Sequence, residues 1–259
     1  MTNYSFDRYL NIRSAMSPIL SPDGNRIAFL SDITGNFQVW SVGISAHPTS
    51  DADRWPRQLT FFPDKVWEVH GTKASEHLIA VSDVGGNERQ QFYLISNFGA
   101  SSGAEEHEVR RLTPNDDAIH RFGAWSKDGT QIVYTSNERN SVDFDVYLMD
   151  IGTGQSSLLT ESTGNRAIVA WSPDGAQLLQ IEAVASEQIE LYLVDLNSGN
   201  EQHITAGQPQ ARYFATKWTT NGIYCLSDRE YDTSALCQLD LQTASLNTIL
   251  SADQLLQNH

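Results

Sequence analysis

Cysteine is scarce in this chain, with two in 259 residues, and so are methionine, with three, and proline, with eight. Two cysteines cannot staple a disulfide-dense scaffold; Cys225 and Cys237 fall in adjacent predicted strands and read as a buried pair of free thiols in a cytoplasmic protein. Basic residues are short as well: 17 Lys and Arg stand against 32 Asp and Glu, for a net charge of -15. Such a surface repels polyanions, which argues against nucleic acid and anionic membranes as partners. No run of about eighteen apolar residues occurs, which excludes a spanning helix. The start, Met1 to Ser14, has no basic stretch followed by an apolar core, so no secretory signal is expected and the expected location is the cytoplasm.

One short motif invites a catalytic reading. Gly99-Ala100-Ser101-Ser102-Gly103 fits the G-x-S-x-G pattern of a nucleophile elbow. An elbow needs a buried strand before it and an apolar helix directly after it. Phe92 to Ile95 supplies the strand, but Ala104 to Glu108 is a short acidic stretch, and Val109 to Thr113 reads as another strand. Without the helix and later α/β units, Ser101 is expected in an inserted hairpin loop.

What the chain does have is self-similarity. Residues 122–160 and 168–205 share, in order, Trp, Ser, Asp-Gly, a strand, a polar loop, Tyr-Leu-x-Asp, a Gly turn and a closing Thr. Residues 214–250 repeat the pattern around Trp218 and Asn221-Gly222; an earlier copy runs from Ser17 to Thr60, and a degenerate one from Val66 closes at Thr113. Gly129, Gly175 and Gly222 are spaced by 46 and 47 residues, the length of a four-stranded propeller blade. Ser-Pro-Asp-Gly turns join first strands to second. Apolar runs such as Ile27 to Leu30 and Ile132 to Tyr134 suit sheets covered on both faces. Asn197-Ser198-Gly199 and Gly152-Thr153-Gly154 turn third strands into fourth ones.

The expected fold is therefore all-β, a β-propeller of four-stranded antiparallel blades, with five repeats in this chain that either close as a five-bladed ring or form part of a larger propeller. Residues 1–16 form a lead-in with a short helix around Phe6, Tyr9, Leu10 and Arg13. Residues 17–259 form the propeller domain, with blades near 17–60, 61–113, 114–160, 161–205 and 206–250.

Repeats of the form Ser-Pro-Asp-Gly-x-x-Ile-Ala-Phe resemble those of TolB-type proteins and of the N-terminal propeller of prolyl oligopeptidase family serine peptidases. The stretch Tyr9 to Val42 is similar to the propeller opening of the acylaminoacyl-peptidase-like branch, and Gly85-Gly86-Asn87-Glu88 resembles its second-blade signature. The resemblance implies a propeller without a catalytic triad, which gates and filters peptides for a C-terminal α/β-hydrolase domain absent from these residues. Its partners would be that domain and peptide substrates, with no cofactor and no metal. A free-standing TolB-like binding scaffold is the alternative, and a lyase or glycosidase with its site in a central channel is a third class.

Loops from second to third strands emerge on one rim and are charged. Glu88, Arg89 and Arg139 are the candidate contacts to the hydrolase domain or a peptide terminus, against the plainer reading of a solvated rim with local ion pairs. Asp143 and Asp145 alternate on one strand face but lack the further oxygens that Ca²⁺ needs, so they read as edge carboxylates. His47, His70, His77, His107, His120, His203 and His259 show no metal-binding pair with a nearby acid and read as surface or packing residues. Trp125, Trp171 and Trp218 recur at repeat positions and are expected to pack between blades.

Overall fold

The computed structural model describes residues 13–44, 55–99 and 107–251. The lead-in helix and Ser101 lie outside the described residues, apart from Arg13, which is exposed coil. The described chain is twenty strands in five four-stranded antiparallel sheets, each a meander in chain order, with no helix among the described residues. It divides into two compact units, Met1–His120 and Arg121–His259.

The first unit holds two sheets. One consists of β1 (Ala15–Leu20), β2 (Arg26–Ser31), β3 (Gln38–Gly43) and β4 (Arg57–Gln58); the other of β5 (Val66–Thr72), β6 (Ser75–Ser82), β7 (Gln91–Ile95) and β8 (Val109–Arg111). Ala28, Leu30 and Val39 pack on Val66, Val69, Leu78 and Ala80 to form the core between them. The run Ile27 to Leu30 departs from the expectation of two covered faces: Ala28 and Leu30 are buried, whereas Ile27 and Phe29 are half-buried. Only one face of this sheet meets a described neighbouring sheet within its unit.

The second unit holds three sheets: β9 (His120–Trp125) to β12 (Ser156–Thr160) through β10 (Gln131–Ser136) and β11 (Asp145–Asp150); β13 (Arg166–Trp171), β14 (Gln177–Ala185), β15 (Gln188–Asp195) and β16 (Glu201–His203); and β17 (Tyr213–Thr219), β18 (Gly222–Ser227), β19 (Ala235–Leu239) and β20 (Leu246–Leu250). Val133 and Val146 meet Ile168, Leu178 and Val194 at one interface. Leu179, Leu191 and Leu193 meet Tyr213, Ile223, Cys225 and Cys237 at the next. Ile132 to Tyr134 are all buried, as the apolar run anticipates. Trp171 and Trp218 pack against these two cores, and Trp125 lies half-buried beside Phe122. Cys225 and Cys237 sit directly opposite each other, unbridged and buried, and burial pushes both thiols up.

The repeated letters are turn chemistry. Ser21, Ser126 and Ser172 each donate a hydroxyl to the Asp two residues on, at 2.5, 2.6 and 2.6 Å, and accept a backbone N–H from five residues on. The turn exits at Gly24, Gly129 and Gly175 with φ of 71°, 71° and 78°, a region that glycine enters without steric cost. The serine hydroxyls, with backbone N–H donors, hold Asp23, Asp128 and Asp174 below the usual carboxylate range. The closing threonines act similarly: the Thr60, Thr113 and Thr205 hydroxyls accept the N–H groups of Val39, Phe92 and Leu191 where the fourth strand leaves the ladder.

The third and fourth sheets come close together at Gly123. A Cβ there would stand 2.7 Å from the Cβ of Ile168 and 2.8 Å from the carbonyl oxygen of Val133. Gly123→Ala is expected to lower the unfolding free energy by about 1–2 kcal/mol through overpacking, read as a lower urea midpoint at unchanged slope. An unchanged midpoint would mean that the two sheets separate freely at this point.

Candidate functional site

The loops after second strands and the links between sheets lie at the same ends of their strands, and they carry the candidate residues. In the first unit, Ser82 ends β6 and the chain turns through Gly85 and Gly86, both at positive φ. Two carboxylates fix this loop: Asp64 Oδ2 accepts the N–H of Gly85 at 2.8 Å, and buried Asp83 accepts the N–H of Glu88 at 2.8 Å and the indole N–H of Trp67 at 2.9 Å. Glu88 is held at φ 60°, an uncommon conformation for a non-glycine residue. Its side chain and that of Arg89 point into solvent, and Arg89 Nη1 reaches Asp117 Oδ1 at 2.6 Å. Both partners of that pair are exposed, so it adds little to stability.

Arg139, in the second unit, has a different environment. Its Nε and Nη2 donate to the two oxygens of Asp145 at 2.6 and 3.0 Å, and Nη2 also reaches the carbonyl of Ser162 at 3.2 Å. Asp145 is fully buried and accepts the N–H of Ser162 as well. Asp143 accepts the N–H of Gly164 and an amide hydrogen of Asn140, and these bonds, with Arg139 nearby, hold its carboxyl below the usual range. Asp143 and Asp145 therefore close a loop onto a link, and Arg139 is the clamp. Glu88 and Arg89 share one loop, whereas Arg139 belongs to the other unit.

A recurring buried polar residue at the start of the third strand was not anticipated. The Gln38 amide bonds the carbonyls of Phe62 and Asp64 and the Thr60 hydroxyl; the Gln91 amide bonds the carbonyls of Asn115 and Ala118; Asp145 takes the same position in the third sheet. Each ties its sheet to the link that follows. The available signal was a polar residue opening an otherwise apolar strand three times over.

Two of the described histidines lie beside acids. His70 Nε2 lies 2.8 Å from Glu68, and His203 Nε2 lies 3.0 Å from Glu190 while its ring stacks on Tyr192 at 4.4 Å. Strand alternation and cross-strand register put an acid beside each. Among the described residues no three His, Cys, Asp or Glu side chains gather in a metal-binding group. A cleft in the second unit runs between Ser172-Pro173-Asp174 and Trp218 to Gly222, but the Asp174 carboxylate is already occupied by its own turn.

The repeated four-stranded sheets and their turn chemistry define a β-propeller class. No protein-family model matches the chain. Over 113 residues it is 33% identical to the Tol-Pal system protein TolB of Francisella tularensis subsp. mediasiatica, a match covering 43% of this chain and 24% of that protein. The chain thus matches about a quarter of the length of such relatives. Among solved structures, a putative TolB from Agrobacterium tumefaciens superposes with a TM-score of 0.61 at 19% identity, covering 91% of this chain and 80% of that one. A puromycin-hydrolyzing peptidase of Mycobacterium tuberculosis gives 0.66 at 11% identity over 92% of this chain and 38% of the peptidase. An oligogalacturonate lyase from Vibrio parahaemolyticus gives 0.64 at 13% identity, over 89% and 63%. The propeller fold is common to them all.

Proposed function

We propose that this chain is the non-catalytic propeller of a serine peptidase of the prolyl oligopeptidase family, a gate and filter for peptides on their way to an α/β-hydrolase domain outside these residues. The observation that carries the proposal is the Gly85–Arg89 loop. Two carboxylates pin its backbone, one non-glycine residue is held at positive φ, and Glu88 and Arg89 are presented outward. Strained and pinned backbone that displays exposed charge is a usual attribute of a contact site. Glu88 and Arg89 would meet the hydrolase domain or a peptide terminus through charge-assisted hydrogen bonds. Likeness to a peptidase over 92% of the chain supports the architecture of this reading. The 33% identity to TolB favours a second reading, a free-standing scaffold that binds a protein partner.

The test is made on the native gene product. If it carries a hydrolase domain, Glu88→Ala with Arg89→Ala is expected to raise turnover of a twenty-residue peptide relative to a tetrapeptide by about tenfold, the loss of roughly one charge-assisted contact. Unchanged turnover and unchanged size selectivity would remove the rim contact. A native product without peptidase activity would leave the scaffold as the better reading.

A further inference from the structure

The second unit contains five arginines, and four are matched to carboxylates: Arg139 to Asp145, Arg166 to Glu182, Arg212 to Asp228 and Arg229 to Glu230. Arg121 breaks the pattern. It is half-buried at the start of the first strand of its sheet, and among the described residues no carboxylate pairs with it. In a chain of net charge -15, an arginine without an acid is unusual enough to need a reason.

Two contacts fix its guanidinium. The plane lies over the ring of buried Phe144, with Cζ 3.7 Å from the centroid, and Nη1 donates to Oδ1 of Asn165. Asn165 and Phe144 are themselves held together, because the Phe144 N–H donates to the Gly164 carbonyl at 3.1 Å and the Gly164 N–H donates to Asp143 at 2.8 Å. The aromatic face and the amide thus orient the fork, and only one of its five N–H donors is used by a described protein acceptor. Burial pulls the guanidinium below its ordinary range, the cost of desolvating a cation that has no counter-charge.

We propose that Arg121, laid on Phe144 and tied to Asn165, is the anchor for the C-terminal carboxylate of a bound peptide. A carboxylate matches the planar fork through two parallel hydrogen bonds. Its single charge suits the site better than a phosphate dianion does, because Asp143, Asp145 and Glu161 cluster on the adjoining loop and link around Arg139. That the carboxylate belongs to a peptide rests on the filter reading above; the matching of one fixed cation to one planar anion does not.

The test titrates the full chain with N-acetyl-trialanine and with its C-terminal amide by isothermal calorimetry. The free carboxylate is expected to bind about tenfold more tightly than the amide, the usual value of one charge-assisted pair. Arg121→Gln should abolish that preference with little change in urea midpoint. Asn165→Ala, at an exposed position and so safe for folding, should reduce it by about threefold. Equal affinity for the two peptides, or a preference that survives Arg121→Gln, overturns the anchor while leaving peptide binding intact. Binding of neither peptide overturns the anchor and the filter together. Inorganic phosphate that competes more strongly than the peptide carboxylate also overturns it.

Discussion

Lowering the pH from 7 to 4 is expected to take about 3 kcal/mol from the stability of the unit that ends at His120. His120 is 2% exposed, and burial depresses its imidazole from 6.5 to about 4. Its Nδ1 lies 3.1 Å from the carbonyl of Gln90, which opposes the shift, while the charge of Arg111 adds to it; the ring meets Phe92 edge-on at 5.8 Å. The folded state keeps the imidazole neutral down to about pH 4, whereas the unfolded chain takes up a proton near pH 6.5. Across that window the unfolded state binds more protons, so stability falls as the pH drops and levels off below the folded value. Carboxylates titrate in the same range, so the comparison is with His120→Asn, which keeps a donor but cannot ionise. The difference in urea unfolding free energy between the two proteins should change by about 3 kcal/mol between pH 7 and pH 4. Parallel pH profiles would show that His120 ionises normally and that the Phe92 pocket admits water.

Much of this architecture is legible because it is written in local chemistry. Ser-x-Asp-Gly specifies its own turn: serine, aspartate and glycine lie within four residues, and their bonds close without help from the rest of the fold. Asp150 with Thr153 and Asp195 with Ser198 do the same for the third-to-fourth turns. The clamps at the starts of third strands were harder to read, because glutamine and aspartate perform one task with different groups. Gln38 donates to link carbonyls, whereas Asp145 accepts a link N–H and brings in an arginine. The Arg121 cluster was not legible at all. Its members are 44 residues apart along the chain, and none occupies a position that the repeat marks. Half-coverage of Ile27 and Phe29 was likewise hidden, since an apolar run is the same text whether one sheet face or both find a neighbour.

Asp145→Ala should cost about 3 kcal/mol in urea unfolding, at the low end for breaking a buried ion pair. The carboxylate has no solvent exposure, and its loss strands the N–H of Ser162 inside the fold. The cost stays moderate because the arginine left behind is a third exposed and retains Asp143 and Glu161 within reach. Arg139→Ala should destabilise in the same direction, since it leaves a fully buried carboxylate with one backbone donor. Replacing both at once, with Arg139→Met and Asp145→Leu, should recover most of the loss, because an apolar pair has no desolvation to offset. The series also decides what Arg139 is for. If the single changes are destabilising and the double change is mild, the guanidinium is a clamp joining loop to link, and the rim presents Glu88 and Arg89 without it. If Arg139→Ala leaves stability untouched, the arginine is free to leave Asp145, and a partner's carboxylate would then compete for it on equal terms.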